Sequence, residues 1–307
     1  MKIIDLSVVI PLYKCSKAIE ELTGRLITTL EAITTSFEII YINDASPEND
    51  WEIVKIQATK DQRIKGINFS RNFGQHYAIT AGLEHAKGNW IIVMDGDLQD
   101  QPEDILKLYE KANEGNDMVL GMRIGRKDSG LKIIFSKLFY KLFSYLTDTK
   151  QDATIANFGI YHRKVIDAIL SMKDSIRYFP TMVQWVGFRK AKIAINHTER
   201  VYGQSAYSFK SLINLAFNNI IAFSDKPLRL TVKFGFSLTI LSIIYGSTIL
   251  IKYLTGHISV AGYASLLVSI WFLSGLIIAI LGMVGIYVGK TFEGVKKRPY
   301  YIIKKII

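Results

Sequence analysis

The sequence lacks the residues from which a disulfide framework or a histidine metal centre is built. It has a single cysteine, Cys15, so an internal disulfide is excluded, and one thiol suits a reducing compartment. The few histidines show no metal-ligand spacing and are predicted to be structural or surface residues. They are His76, His85, His162, His197 and His257. Internal repeats and low-complexity segments are lacking as well.

A secretory leader is also lacking. The apolar run near the amino terminus meets Pro11 within a few residues, which is too short for such a leader, and no cleavage site follows. We therefore expect the amino-terminal part of the chain to begin in the cytosol.

Acidic residues are scarce relative to basic ones. Asp and Glu number 27 against 38 Lys and Arg, which gives a formal net charge of +11. This excess is typical of proteins with phosphate-rich partners, such as nucleic acid, anionic lipid or nucleotide sugars. Hydrophobic residues make up 49% of the chain, which is high for a soluble protein, whereas 21% charged residues is too many for a membrane bundle. The composition therefore predicts a soluble domain joined to a membrane part.

The first part of the chain alternates short apolar runs with amphipathic stretches. The runs are rich in β-branched and aromatic residues and are predicted to be strands. They are Leu6–Leu12, Phe37–Ile42, Ile64–Phe69 and Trp90–Met94, and helices are predicted near 17–33, 48–59, 73–86 and 102–114. Strands that alternate with helices predict an α/β domain with a mostly parallel sheet, whose ligands bind beyond the carboxyl ends of the strands.

Two long uncharged runs follow, Phe234–Ile251 and Ala264–Val288. They comprise about 18 and about 25 residues, enough to cross ~30 Å of hydrocarbon, and two such runs are hard to hide as core helices in a small domain. Thr255–Gly262 between them has no Lys or Arg, whereas basic residues flank the outer ends. These are Lys226, Arg229, Lys233, Lys290, Lys296, Lys297 and Arg298. The positive-inside rule then places both flanks in the cytoplasm and the short connection outside.

Two further segments have the composition of interfacial helices. Leu131–Leu146 interleaves lysines with Phe and Leu, and Phe209–Phe223 is apolar over much of its circumference. Basic amphipathic helices commonly lie in the headgroup plane, although either segment could instead pack on the soluble domain. The predicted organisation is a cytoplasmic α/β domain at 1–225 with interfacial helices at about 131–147 and 208–224, a two-helix transmembrane hairpin at 226–290, and a basic cytoplasmic tail at 291–307.

The most specific polar cluster is Asp95–Asp100 (DGDLQD), directly after the apolar strand Trp90–Met94. Carboxylates two residues apart on a turn can reach one hard divalent cation, Mg²⁺ or Mn²⁺, which prefers oxygen ligands and leaves room for substrate phosphates. Such a cation neutralises charge as a diphosphate leaves. An isolated Asp-x-Asp is more often a solvated turn, but the end of a predicted central strand is where a site is expected.

Two more clusters end the preceding strands. Asn43–Ser46 (NDAS) follows the second strand, and its carboxylate can accept a hydrogen bond from a nucleobase, unless the cluster is only a helix N-cap. Ser70–Gln75 (SRNFGQ) follows the third strand and offers a guanidinium and a helix N-terminus to phosphate. Together the three clusters predict one pocket.

These clusters, in their order along the chain, resemble the motifs of the polyprenol-phosphate glycosyltransferases. That family includes dolichol-phosphate mannose synthase and bacterial undecaprenyl-phosphate glycosyltransferases, and the likeness runs from about residue 6 to the end. The motifs are Pro11–Tyr13, Asn43–Ser46, Ser70–Gly74, Met94–Asp100, Gly121–Arg123 and Phe223–Arg229. The resemblance implies a GT-A fold, which is Rossmann-like with a mostly parallel sheet, an inverting transfer and a divalent metal.

The resemblance also implies residue roles. Asp95, Asp97 and Gln99 would hold the metal, Mg²⁺ or Mn²⁺. The nucleotide sugar would contact Pro11, Tyr13, Asp44, Arg71, Asp95 and Arg126. Arg123, with Arg126 or Lys127, would approach the donor phosphates, and Arg200, with Ser205 beside it, matches a family arginine near the acceptor phosphate. Asp97, Arg123 and Arg200 are therefore the predicted catalytic residues.

This chain departs from the family pattern at several positions. Lys14-Cys15 stand where members usually have Asn-Glu, and Asn43 stands in a common acidic pair. Ala206 replaces a frequent lysine, and Asn157 lies near a point where some relatives have an acidic residue that faces the sugar. Base contacts, acceptor-phosphate contacts and sugar recognition are therefore left open.

We predict sugar transfer from a nucleotide diphosphate sugar, a UDP-sugar in first place, to a polyprenyl phosphate such as undecaprenyl phosphate. The enzyme would be a multi-pass protein of the inner or plasma membrane with a cytoplasmic catalytic domain, no nucleic-acid partner, and a homo-oligomeric state left open. A transferase for a growing polysaccharide would need more spans and a Gln-x-x-Arg-Trp motif, which the sequence lacks. A non-catalytic membrane scaffold on a degenerate transferase domain is the other alternative, and the intact Asp-x-Asp disfavours it.

Overall fold

The computed structural model describes residues 4–123, 143–146, 155–174, 176–196, 217, 220–221, 224–255 and 262–307. The chain divides into two compact units. The first comprises Met1–Tyr145, Thr149–Asn214 and Pro299–Ile307, and the second Leu146–Asp148 and Leu215–Arg298. The predicted interfacial segments at about 131–147 and 208–224 lie almost entirely outside the described residues.

The first unit is built on one eight-stranded sheet in its described part. Its strands are β1 (Leu6–Leu12), β2 (Phe37–Asn43), β3 (Ile64–Phe69), β4 (Trp90–Val93), β5 (Met118–Arg123), β6 (Ile155–His162), β7 (Lys190–Ile195) and β8 (Ile303–Ile306). Their order is β7-β5-β6-β4-β1-β2-β3-β8. Strand order reverses at β1, between β2 and β4, and such a switch point is where open α/β sheets bind ligands.

Helices follow the strands, as the alternation in the sequence predicts. They are α1 (Ile19–Glu31), α2 (Asp50–Lys60), α3 (Gln75–His85), α4 (Asp104–Asn113), α5 (Arg163–Ser171) and α6 (Phe179–Trp185). The strands β1 and β2 are buried along their whole length. Val8 belongs to the core that contains α1, whereas Gly82 of α3 packs on Val9. Successive side chains of a strand point to opposite faces, so helices cover both faces of the sheet.

The mixed direction of the strands refines the predicted sheet. β1 pairs in parallel with β2 and β4, and β2 with β3, as expected. β6 runs antiparallel between β4 and β5, although β5 and β7 are again parallel. The predicted α/β fold is therefore confirmed, with antiparallel pairings at β6 and at the β3 edge.

The last residues of the chain, predicted as part of a basic tail at 291–307, contain a strand. Ile303–Ile306 form β8, antiparallel to β3, with Ile67 opposite Ile306 and Asn68 opposite Lys305. The prediction for this region was based on its charge alone. Its isoleucines flank the lysine pair Lys304-Lys305, and an edge strand tolerates such exposed lysines.

The second unit contains two long helices, α7 (Lys226–Leu254) and α8 (Tyr263–Val295). Each includes a segment long and apolar enough to cross a membrane, at Lys226–Tyr245 with mean hydropathy 1.4 and at Phe272–Val295 with mean hydropathy 2.3. In the described structure neither segment is buried. Within this unit the Tyr287 hydroxyl of α8 donates to the Ser224 carbonyl at 2.8 Å, just before α7 begins.

Candidate active site

The carboxyl ends of β1 to β5 bring together most of the polar residues that the sequence analysis selected. Tyr13 follows β1 and is 37% exposed, and Asp44 follows β2 and is buried. Asp95, Asp97 and Gln99 follow β4, and Arg123 is the last residue of β5. Because parallel strands end at one edge of a sheet, these groups share one region at the switch point.

Asp95 lies at the centre of an acidic group. Its Oδ1 accepts a hydrogen bond from Gln75 Nε2 at 2.7 Å. Burial, reinforced by the nearby charges of Asp100 and Asp97, raises the pKa of the Asp95 carboxyl to about 7, against the opposing influence of Arg123 and a hydrogen bond from Asn157. Carboxylates held this close favour a proton or a cation between them.

Arg123 is oriented by a buried carboxylate. Its Nη2 lies 3.2 Å from Asp100 Oδ2, and Asp100 is fully buried. The Nε atom of Arg123 is buried and has no hydrogen-bond partner among the described residues. Since a guanidinium has five N–H donors, this ion pair leaves donors for an anionic ligand.

Asp44 joins the ends of β2 and β3. Its two carboxylate oxygens accept the backbone N–H groups of Phe73 at 2.7 Å and Gly74 at 2.8 Å. Burial raises the pKa of Asp44, and these two hydrogen bonds oppose that rise. Gly74 has a φ of +109°, which only glycine adopts readily, so the loop can turn both N–H groups towards one carboxylate.

The loops after β1, β2 and β4 are held in backbone conformations that most residues avoid. Lys14, Ala45 and Leu98 have φ angles of 58°, 49° and 60°. Lys14 N donates to Ser46 Oγ at 3.0 Å, which joins the first two of these loops. Left-handed non-glycine residues cost about 1–3 kcal/mol each and cluster at functional sites. Three such residues at neighbouring strand ends therefore mark this edge of the sheet.

Close backbone approach brings the Asp95–Asp97 turn against β1. A Cβ at Gly96 would lie 2.7 Å from Leu12 Cδ2 and 3.3 Å from the Pro11 carbonyl oxygen. Any larger residue would therefore push the turn away from the end of β1. The glycine fixes the distance between the acidic group and the predicted nucleoside-contacting residues Pro11 and Tyr13.

Cys15 lies in the same region as a protonated thiol. Its backbone N–H donates to Asp50 Oδ2 at 3.1 Å. Burial raises the pKa of the thiol to about 12, helped by the charges of Asp50, Asp97 and Asp95. The thiol is therefore a poor nucleophile at neutral pH.

His76 has a structural environment, as predicted. Its ring packs edge-on against Tyr178 with centroids 4.6 Å apart. Burial lowers the pKa of His76 to about 4, so the imidazole is neutral near pH 7. Tyr178 and Asn157 line a cavity of about 100 Å³ on the β6 side of Asp95.

One predicted residue, Arg71, lies at the margin of this group near Asp44, and four others lie outside the described structure. Arg71 is exposed, and its guanidinium lies over the Phe73 ring at 4.0 Å. Arg126, Lys127, Arg200 and Ser205 lie outside the described residues, so their predicted roles stay predictions. No group of three His, Cys, Asp or Glu side chains in the described ranges is arranged to hold a metal.

The structure gives contacts to three residues outside the predicted site set, of which Asn157 had been named only for its position near the sugar. Gln75 and Asn157 both hydrogen-bond Asp95, and Asp100 orients Arg123. Asp100 and Gln75 belong to the polar clusters at the strand ends, and that position is the signal from which they could have been chosen. Asn157 is on β6, a strand that was not predicted.

Comparison with known proteins shows the family to which this chain is related. The family described as glycosyl transferase family 2 matches residues 7–170. Bactoprenol glucosyl transferase of Shigella phage SfII is 35% identical over 301 residues, which cover 98% of this chain and 97% of that protein. Undecaprenyl-phosphate 4-deoxy-4-formamido-L-arabinose transferase of Shewanella sediminis is 33% identical over 304 residues, or 98% of this chain and 92% of that protein.

A solved structure supports the fold. S. aureus TarS 1-349 in complex with UDP-GlcNAc superposes with a TM-score of 0.50 and 18% identity, covering 71% of this chain and 66% of that one. At this identity the likeness shows the fold alone. The predicted GT-A fold and the resemblance to polyprenol-phosphate glycosyltransferases are both confirmed. This chain therefore belongs to glycosyl transferase family 2 and is a glycosyltransferase, related over its whole length to enzymes named for bactoprenol and undecaprenyl phosphate.

Proposed function

We propose that this enzyme transfers a sugar, with inversion, from a nucleotide diphosphate sugar to a polyprenyl phosphate, undecaprenyl phosphate in first place, at the cytoplasmic membrane face. The full-length relatives named for bactoprenol and undecaprenyl phosphate support the acceptor. The apolar segments Lys226–Tyr245 and Phe272–Val295 support membrane attachment. The observation on which the proposal most depends is the acidic group around Asp95 at the switch point of the sheet.

The donor diphosphate would bind between this acidic group and Arg123. Asp95, Asp97 and Gln99 would hold Mg²⁺ or Mn²⁺, and the raised pKa of Asp95 fits a site that needs a cation. Such a cation usually takes one or two protein carboxylates together with substrate phosphates, so two aspartates suffice. When bound, it would neutralise charge on the departing nucleoside diphosphate. Arg123, oriented by Asp100, would contribute donors to the same phosphates.

The nucleoside and the sugar would lie on opposite sides of Asp95. Pro11 and Tyr13 at the end of β1 and Asp44 at the end of β2 would line the nucleoside pocket, with Arg71 at its margin. Each Asp44 oxygen accepts one backbone N–H and retains a second lone pair for a base donor. The sugar would face Asn157 and its adjoining cavity. UDP-GlcNAc in S. aureus TarS, which shares this fold, makes a UDP-sugar the first donor to test.

The acceptor needs no strong general base. A phosphate monoester is mostly dianionic at neutral pH, because its second pKa is about 6, and it is already a nucleophile. Arg200 and Ser205 would hold this phosphate, and Arg126 or Lys127 would approach the donor phosphates. Positioning and electrostatics then supply most of the rate, and sugar transfer breaks the bond between the anomeric carbon and the diphosphate oxygen.

The test is a transfer assay on purified full-length protein. The protein is incubated with a panel of nucleotide sugars, Mn²⁺ or Mg²⁺ and undecaprenyl phosphate. Mass spectrometry then measures the mass of the lipid product. Asp97→Asn should reduce transfer by at least ~100-fold, since it removes a proposed metal ligand. Asp167→Asn is the matched control, because Asp167 lies exposed on α5 with one long ion pair of 3.9 Å to Arg163. Full transfer by Asp97→Asn, or no lipid product from any donor, would overturn the proposal.

A further inference from the structure

The last residues of the chain lie against β3, the strand whose carboxyl end carries one of the polar loops of the candidate site. Residues 299–307, called here the C-terminal strap, belong to the first compact unit. Gly66 and Ile307 exchange two backbone hydrogen bonds of 3.0 and 2.9 Å, and Ser70 N donates to the Ile302 carbonyl at 3.0 Å. The strap therefore follows β3 from its middle to the point where its polar loop begins.

Two tyrosines fasten the strap to the rest of the unit. The Tyr301 ring is stacked on Phe69, with centroids 5.0 Å apart and an interplanar angle of 14°. The Tyr301 hydroxyl donates to Glu84 of α3. The guanidinium of Arg177, a buried residue, lies 5.3 Å from the Tyr300 ring. The strap is thus joined to α3 and to the segment before α6 as well as to β3.

Phe69 connects the Tyr301 ring to the polar loop after β3. Its ring meets the Phe73 ring edge-on, with centroids 5.6 Å apart at 87°. Phe73 and Gly74 give their backbone N–H groups to Asp44. The row of rings Tyr301, Phe69 and Phe73 therefore ends at the carboxylate proposed for the nucleoside pocket.

We propose that Tyr301 is a positioning residue for nucleotide-sugar binding, which acts through Phe69 and Phe73 on Asp44. The inference rests on the proposed function and deepens it, because it assigns the strap to the donor side of that site. Asp44 is remote from the bond that breaks, so loosening it removes interactions made equally in ground and transition states. Such a loss raises KM and leaves kcat unchanged.

Three variants of the full-length enzyme test this role. Tyr301→Ala removes the ring and should raise the KM for the nucleotide sugar by at least ~5-fold, with kcat within about 2-fold of wild type. Tyr301→Phe keeps the stacked ring and loses only the bond to Glu84, so its KM should stay within about 2-fold. Lys304→Ala is the matched control, because Lys304 is an exposed residue of the same C-terminal strap.

Folding and function are separated by two further measurements. Thermal unfolding of each variant establishes that it is folded. If Tyr301→Ala does not fold, Tyr301→Leu replaces it, because leucine keeps an apolar side chain without a ring. Calorimetric binding of UDP with Mn²⁺ should weaken in parallel with the KM. A folded ring-less variant with wild-type KM and UDP affinity, or an equal loss in Lys304→Ala, would overturn the inference. If wild type transfers no sugar but binds UDP, the proposed acceptor reaction fails and the binding data still decide the role of Tyr301.

Discussion

At the residue scale, the raised pKa of the Asp95 carboxyl predicts that cation binding at the proposed site depends on pH. Its pKa is raised to about 7 by burial, by Asp100 and by Asp97, while Arg123 opposes the rise. Below pH 7 a cation must displace a proton, so the apparent Mn²⁺ affinity should fall by up to about tenfold for each pH unit and level off above pH 7. Calorimetric titration of the nucleotide-free protein with Mn²⁺ between pH 5.5 and pH 8.5 measures this profile, with these pH values chosen to bracket the pKa of about 7.

Asp95→Asn is the control for this profile. The variant should bind Mn²⁺ weakly and without the slope, because it lacks both the Asp95 carboxylate and the proton that the cation must displace from it. Without a bound cation, the contribution of Asp95 to the free energy of unfolding has the opposite pH dependence, because it decreases as pH rises. Folded Asp95 keeps its proton up to about pH 7, whereas the unfolded chain releases this proton at the ordinary aspartate pKa of 3.8. The stabilising contribution of Asp95 is therefore complete at low pH and is lost as pH rises through about 7. A wild-type Mn²⁺ affinity independent of pH would contradict the assignment.

The Cys15 thiol should resist alkylation. Burial first, and then the charges of Asp50, Asp97 and Asp95, raise its pKa to about 12. The thiolate fraction at pH 8 is then about a thousandfold below that of an ordinary cysteine thiol, so iodoacetamide should modify the folded protein at least ~100-fold more slowly than the unfolded one. Intact mass measures this directly, since the chain has one cysteine. Equal rates for the folded protein and the protein in urea would contradict the expectation.

Polar residues at strand ends were predictable from the sequence, and their partners were not. Asp44, Asp95 and Arg123 follow or end apolar runs, and the rule that ligands bind beyond the carboxyl ends of strands selects them. That Asp44 accepts from Phe73 and Gly74 depends on the left-handed turn at Gly74, which the sequence does not specify. The partner of Arg123 is likewise set by tertiary structure.

At the element scale, the first four strands were predictable because each is a buried run between polar turns. The predicted Leu6–Leu12 and Ile64–Phe69 coincide with β1 and β3. The four later strands, β5 to β8, were not predicted, and β6 and β8 illustrate two different reasons. Ile155–His162 contains alanine and glycine rather than a continuous apolar run, and Ile303–Ile306 is stabilised by β3, which lies far away in sequence.

Replacing either of two helical glycines by alanine should change the free energy of unfolding, with opposite sign at the two positions. A Cβ at Gly82 of α3 would lie 2.3 Å from Val9 Cγ1 and 2.7 Å from Ile42 Cδ1, whereas a Cβ at Gly24 of α1 meets nothing within 4 Å. Gly82→Ala should therefore lower the free energy of unfolding by about 1–3 kcal/mol through overpacking. Gly24→Ala should raise it by about 0.5–1 kcal/mol, because alanine favours the helix.

Denaturant unfolding of the two variants beside wild type measures both changes. Gly24→Ala serves as the matched control, since it is the same substitution in another helix of the same α/β unit. Transfer activity should persist in Gly24→Ala, which lies outside the candidate site. Equal destabilisation by both substitutions would mean that α3 does not pack on β1 and β2 as closely as these distances show.

At the scale of the whole molecule, the sheet itself constrains membrane topology. β8 pairs with β3, so residues 303–306 must lie on the same side of a membrane as the strands β1 to β7. The chain between them must then cross an even number of times. The two apolar segments Lys226–Tyr245 and Phe272–Val295 satisfy this parity, and a single crossing does not. The parity argument is independent of the positive-inside rule: parity requires only that both ends of the hairpin lie on one side, and the rule predicts that this side is the cytoplasm.

Single-cysteine labelling tests this topology in full. In a Cys15→Ser background, Ser259→Cys places a thiol between the two apolar segments, and Lys304→Cys places one on β8. A membrane-impermeant maleimide applied to intact cells should label the first variant and spare the second. After permeabilisation both should react, which controls for thiol accessibility. Labelling of Lys304→Cys in intact cells would place the sheet outside, where a cytoplasmic nucleotide sugar could not reach it. Protection of both variants in intact cells would mean that the connection at Thr255–Gly262 is not on the outer side of the membrane.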